Sequence, residues 1–141
     1  MENSLEANQK SNKDLSTSKD IDYLVRTFYS QAIDDELIGH FFTKVVELDF
    51  DKHIPKIVDF WTSVLLGQGN YRGNPIIKHI ELSQKSPLTK THFDRWIQLW
   101  KQTLDDNYSG PIADQAKEKA QTISQLMIYK IEASSKNGYI L

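Results

Sequence analysis

Four apolar stripes at helical spacing constrain this chain more than any other feature of its sequence. Ile21, Leu24, Val25, Phe28 and Ala32 recur at the i, i+3, i+4, i+7 interval that gathers side chains on one face of an α-helix. Ile54, Ile57, Val58, Trp61, Val64 and Leu65 repeat the pattern from about Asp51 to Leu66, with Pro55 near the first turn, where proline is tolerated. A third stripe passes through Phe93, Trp96, Ile97, Trp100 and Leu104. It is opened by Thr91-x-x-Asp94, a capping-box variant, and broken at Ser109-Gly110-Pro111. The last stripe holds Ile112, Ala116, Ala120, Ile123, Met127 and Ile131. No segment alternates apolar and polar residues with the period of two that a half-buried strand requires. The expected fold class is therefore all-α, with four longer helices. Short helical pieces fill Glu36 to Phe50 and the stretch from Pro75 to about Leu82, where Asn74-Pro75 reads as an N-cap and a first-turn proline.

At 141 residues the chain can bury one core and is too short for two. Residues 1–18 are polar and aperiodic and read as a disordered tail, 19–132 as the single domain, and 133–141 as a frayed end. Lys and Arg number 17 against 19 Asp and Glu, a net charge of −2 that offers no basic field to nucleic acid or to an anionic membrane. No apolar run approaches the ~18 residues of a membrane span, and the segment MENSLEANQKSNKDLSTSKD has no apolar stretch of the secretory kind. Cysteine is absent, which removes disulfides, thiolate catalysis and cysteine zinc sites. That composition fits a cytoplasmic location, which is the expectation. A Rossmann glycine fingerprint, a phosphate loop and internal repeats are also missing.

Polar and aromatic residues interrupt the stripes at four informative places. His53 precedes Ile57 by four residues and Trp61 by eight, so it falls on the apolar face of its helix. Tyr29 follows Phe28 at the edge of the first stripe. Trp96 lies mid-stripe with an indole N–H that needs an acceptor once buried. His79 sits on the short helix among Ile76, Ile80 and Leu82. Taken singly each has a packing explanation, since a lone histidine on an apolar face is more often packed than ligating. His40 and His92 fit no pattern and read as surface residues. The four histidines share no i, i+4 pairing, which argues against a zinc site.

Their order carries more than any one of them. The stretch Asp59 to His79, DFWTSVLLGQGNYRGNPIIKH, resembles the third group of truncated haemoglobins at Phe60-Trp61, Leu65-Leu66-Gly67, Gly69, Tyr71, Gly73, Pro75 and His79. The resemblance continues through Phe28-Tyr29, Gly39, Phe42, His53, Phe93-x-x-Trp96 and the last helix, covering roughly Asp20 to Ile131. It implies a two-on-two helical sandwich enclosing haem b, iron protoporphyrin IX. In that resemblance His79 looks like the proximal ligand of a pentacoordinate iron, supplying a neutral imidazole nitrogen. Phe42 looks like the aromatic wedged against the porphyrin face. Tyr29, His53 and Trp96 look like the polar residues of the distal pocket, whose O–H and N–H donors would hold a diatomic ligand in a dry site.

Three functions follow from these readings. The first is a haem protein binding O₂, NO or CO, serving O₂ and NO redox chemistry. The second is a haem enzyme, a nitric-oxide dioxygenase or a peroxidase-like catalyst, which would draw electrons from a separate reductase. The third is a cofactor-free helical module for protein interaction. A monomer is expected in each case.

Overall fold

The structure, a computed structural model, describes residues 13–45, 49–69, 71 and 73–137. Five α-helices and one π-helical turn follow in order: α1, Ser18–Ala32; the π-helical turn, Phe41–Val45; α2, Phe50–Leu66; α3, Pro75–Lys85; α4, Lys90–Asn107; and α5, Pro111–Asn137. No strand occurs among the described residues. Helix α1 packs on α2 and on α4, α4 packs on α5, and α3 lies against α5, so the pair α1–α2 is layered on the pair α4–α5.

The stripes read from the sequence are the faces that meet. Ile21, Leu24, Val25, Phe28 and Ala32 of α1 are all buried, as are Ile54, Trp61 and Leu65 of α2 and Ile97, Trp100 and Leu104 of α4. Trp61 stacks on Trp100 at 4.8 Å between ring centroids, and Phe28 meets Trp100 edge-on at 5.3 Å. The Trp100 Nε1–H donates to the Ala116 carbonyl at 3.1 Å, so the largest core ring also satisfies its polar atom across the α4–α5 contact. A smaller cluster of Ile80, Phe93, Met127 and Ile131 binds α3 to α4 and α5.

Several boundaries differ from the sequence reading. Residues 13–18 were expected in a disordered tail, yet Leu15 is 2% exposed within the core. The Asp14 carboxylate accepts from the Ile112 and Ala113 N–H groups at 3.0 and 2.9 Å, supplying acceptors to the first turn of α5. Gly110, at φ 140°, brings its backbone so close that an added Cβ would lie 2.5 Å from Asp14 Cγ. A tail that looks aperiodic is thus held by a capping carboxylate and one leucine, neither of which produces a repeat. Residues 1–12 lie outside the described residues. At the other end, 133–141 were expected to fray, but α5 continues to Asn137 and Ser134 is buried; 138–141 lie outside the described residues.

Helix starts also moved. Thr17 caps α1 through a box with Asp20, whose carboxylate accepts from the N–H groups of Ser16 and Thr17 and from Lys13 Nζ at 2.6 Å. Helix α2 begins at Phe50, which puts Pro55 in the second turn and on the exposed side. It ends on Gly67 at φ 67°, a left-handed position that glycine occupies without steric cost. The box at α4 lies two residues earlier than expected: Thr89 N–H donates to His92 Nδ1 at 3.0 Å. Asp94 instead pairs with Lys90 at 2.7 Å. His92 and His40, read as surface residues, are both partly buried, for their rings flank Phe41.

Candidate functional site

Tyr29 leaves the last turns of α1 and reaches His53 in the first turns of α2, with Tyr29 Oη 3.2 Å from His53 Nε2. Phe42 of the π-helical turn meets the same tyrosine edge-on at 5.4 Å, and Phe50 does so at 5.9 Å. Phe28 links this group to Trp96, 6.2 Å away on α4. The ring of His79 on α3 lies 6.5 Å from Trp96 and 6.2 Å from Phe93. With Phe28 as the link, ring contacts therefore join the five residues named from the sequence into one group running from α2 through α1 and α4 to α3.

The electrostatics of the cleft favour neutral donors. Burial pushes the Tyr29 phenol far above its ordinary value, so it stays protonated. Burial also lowers the pKa of His53, with repulsion from positive charge at His79 and Lys56 adding to it. His79 is lowered by burial too, against the opposing hydrogen bond to Pro75.

That bond fixes the chemistry of His79. Its Nδ1 lies 2.6 Å from the Pro75 carbonyl, one turn back on the same helix. A carbonyl oxygen only accepts, so Nδ1 carries the proton and the neutral ring keeps its lone pair on Nε2. A ligating histidine is characteristically oriented in this way by an acceptor on its other nitrogen. Among the described residues no group of three or more His, Cys, Asp or Glu gathers to chelate a metal ion. One oriented, neutral imidazole facing aromatic and aliphatic walls suits a metal whose remaining ligands arrive with a macrocycle. The donor set therefore fits haem.

Comparison with known proteins agrees with the fold. The sequence pattern of the bacterial-like globin family matches residues 14–129. A group 3 truncated haemoglobin of Campylobacter jejuni is 30% identical over 113 residues, covering 76% of this chain and 87% of its own. The crystal structure of a group III truncated haemoglobin from Campylobacter jejuni superposes with a TM-score of 0.74 at 26% identity, over 85% of this chain and 94% of that one.

The chain is a group III truncated globin. As such it is a haem globin, and its family takes small gas ligands such as O₂. No helix among this globin's described residues is long and apolar enough to cross a membrane. Three features of its cleft escaped the sequence reading. Phe50 stands three residues before His53, so helical spacing could have placed both on one face. Phe28, read only as core, joins the Tyr29 group to Trp96. The Pro75 carbonyl as a partner for His79 was available from the i−4 spacing, but only once a helix was assumed to begin at Pro75.

Proposed function

We propose that this globin holds haem b through His79 Nε2 and uses Tyr29, His53 and Trp96 to bind a diatomic ligand for O₂ and NO redox chemistry. The observation that carries the reading is the 2.6 Å contact of His79 Nδ1 with the Pro75 carbonyl, which leaves Nε2 as the ligating nitrogen. When bound, the haem supplies an iron with one open position for a diatomic gas. Phe42 packs against the porphyrin and, with Phe28 and Phe50, keeps water from the cleft. Tyr29, kept protonated by burial, and the Trp96 indole offer O–H and N–H donors to a ligand that draws negative charge. His53 holds the Tyr29 hydroxyl in place through the 3.2 Å contact.

Several donors around one small ligand make its release slow, and slow release suits chemistry better than delivery. Buried polar groups also cost stability where no function retains them. Electrons for repeated turnover would come from a separate reductase. The test is stopped-flow mixing of the oxygenated ferrous protein with NO. Rapid stoichiometric appearance of ferric protein and nitrate is the expected result. Release of O₂ as fast as from a storage globin, with slow reaction toward NO, would sink the proposal.

A further inference from the structure

At the start of α4 a histidine closes the capping box, where glutamate or glutamine usually stands. His92 Nδ1 accepts the Thr89 N–H at 3.0 Å, and an imidazole can do this only while that nitrogen is unprotonated. The ring packs on one aromatic side chain and precedes another in the chain. On one side it meets Phe41 edge-on at 5.0 Å, and Phe41 adjoins Phe42 on the π-helical turn. On the other, the next residue in the chain is Phe93, which is 3% exposed and 6.2 Å from His79.

We propose that His92 is a positioning residue for the proximal side of the cleft: as a neutral imidazole it caps α4 and ties the Phe41–Phe42 turn to the start of the helix that carries Phe93, and protonation of Nδ1 breaks the bond from the Thr89 N–H, leaving only the 3.2 Å contact with Thr89 Oγ1, and so loosens this clasp. The consequence at His79 rests on the haem reading above; the cap itself does not.

Three surroundings oppose the charged form. The ring is partly buried, the nearest turn of α4 presents the positive end of the helix dipole, and His40 lies 6.4 Å away. Burial and then His40 hold the His92 pKa below its ordinary value, in keeping with the geometry. From the segment between α1 and α2, the titratable group facing His92 is His40. On its own helix Lys90 is paired with Asp94, and Arg95 with Asp35 at 2.6 Å. A folded-state pKa held below the unfolded value means that the stabilisation is complete above about pH 6.5 and is lost as pH falls through the lower, folded value. Acid therefore loosens the first turn of α4 and, with it, the wall behind His79.

The experiment compares wild type with His92→Gln, whose side-chain carbonyl accepts the Thr89 N–H at every pH. Thermal melting and Thr89 amide exchange are measured between pH 7.5 and 5, with and without haem. Wild type should lose about 3–4 °C more than His92→Gln across that interval, the shift expected for loss of one cap. Its Thr89 amide should exchange at least threefold faster at pH 5 than that of the variant. Haem loss from the ferric protein should accelerate in acid by at least threefold more in wild type than in His92→Gln. Parallel melting curves, or protonation of His92 seen by NMR with an unchanged Thr89 amide, would overturn the clasp. Should the protein take up no haem at all, the haem reading fails, while melting and exchange still decide the cap.

Discussion

Tyr29 and His53 meet across 24 residues of sequence, whereas His79 finds the acceptor for its Nδ1 four residues back on its own helix. The proposed distal side is assembled by tertiary packing: Tyr29 of α1 meets Phe42 of the π-helical turn and both Phe50 and His53 of α2. The proposed proximal side is organised within α3. Its first turn is capped by Asn74 Oδ1, which accepts from the Ile77 N–H at 3.2 Å, and its histidine is oriented by the Pro75 carbonyl. A locally built ligand keeps its geometry whatever happens at the other face. A donor pair built from two helices depends on both of them. The two sides should therefore respond differently to substitution, and three measurements separate them.

The largest effect belongs to the locally built side. His79→Ala removes the proposed iron bond, and haem affinity should fall by well over tenfold, with loss of the five-coordinate ferrous spectrum. His53→Ala should leave haem affinity within a few-fold of wild type, because its partner is Tyr29. Titration of the haem-free proteins with haem, followed by the Soret band, gives both numbers. A His79→Ala protein that keeps the wild-type spectrum while His53→Ala loses it would exchange the two sides.

The same contrast explains what the sequence could and could not reveal. The setting of His79 was legible because it is local: Asn74-Pro75 announces the helix start that the structure has at Pro75, and the histidine follows one turn later. The four stripes were legible because burial of a helical face imposes a period, and each stripe proved to be a buried face. The Tyr29–His53 contact was not, since nothing local to either residue encodes the crossing of α1 over α2. Residues 13–18 were misread for a related reason. Asp14 and Asp20 act through carboxylate acceptors reaching backbone N–H groups, one of them nearly a hundred residues away, and such bonds leave no periodic trace. The capping box of α4 was sought at Thr91-x-x-Asp94 because an acidic third residue is the usual mark, and histidine at that place in Thr89-x-x-His92 has no such prior.

Removal of distal donors comes second in size. Tyr29→Phe and Trp96→Phe should each speed O₂ release by roughly tenfold to a hundredfold, corresponding to about 1–3 kcal/mol for a hydrogen bond to a charged acceptor. Haem affinity should stay near wild type in both, because neither side chain is the ligand. The comparison is sharpened further by the double variant: the two donors would share one small ligand, and Phe28 touches both rings, so their effects should depart from additivity. Unchanged O₂ release in both single variants would mean that neither side chain donates to the ligand.

The smallest effect tests how firmly the tertiary side is anchored. Asp20 stands at the opposite end of α1 from Tyr29 and is 7% exposed. Burial pushes its carboxyl up, but Lys13 and the N–H groups of Ser16 and Thr17 outweigh that, and its pKa falls to about 2. A carboxylate whose folded pKa lies below its unfolded value stabilises the fold fully above the unfolded value, near pH 4, and ceases to do so as pH drops toward 2. Asp20→Asn should thus cost about 1 kcal/mol at pH 7, in the range of a helix cap, and the gap from wild type should close between about pH 4 and pH 2. Urea unfolding across that range measures it. The window is separate from the one assigned to His92, so acid should act on the globin in two stages, first at the proximal wall and then at the start of α1. If Asp20→Asn also raised the O₂ off-rate, the anchoring of α1 would extend along the helix to Tyr29, and the distal pair would depend on the 13–18 segment; an unchanged off-rate would confine the Asp20 knot to stability alone.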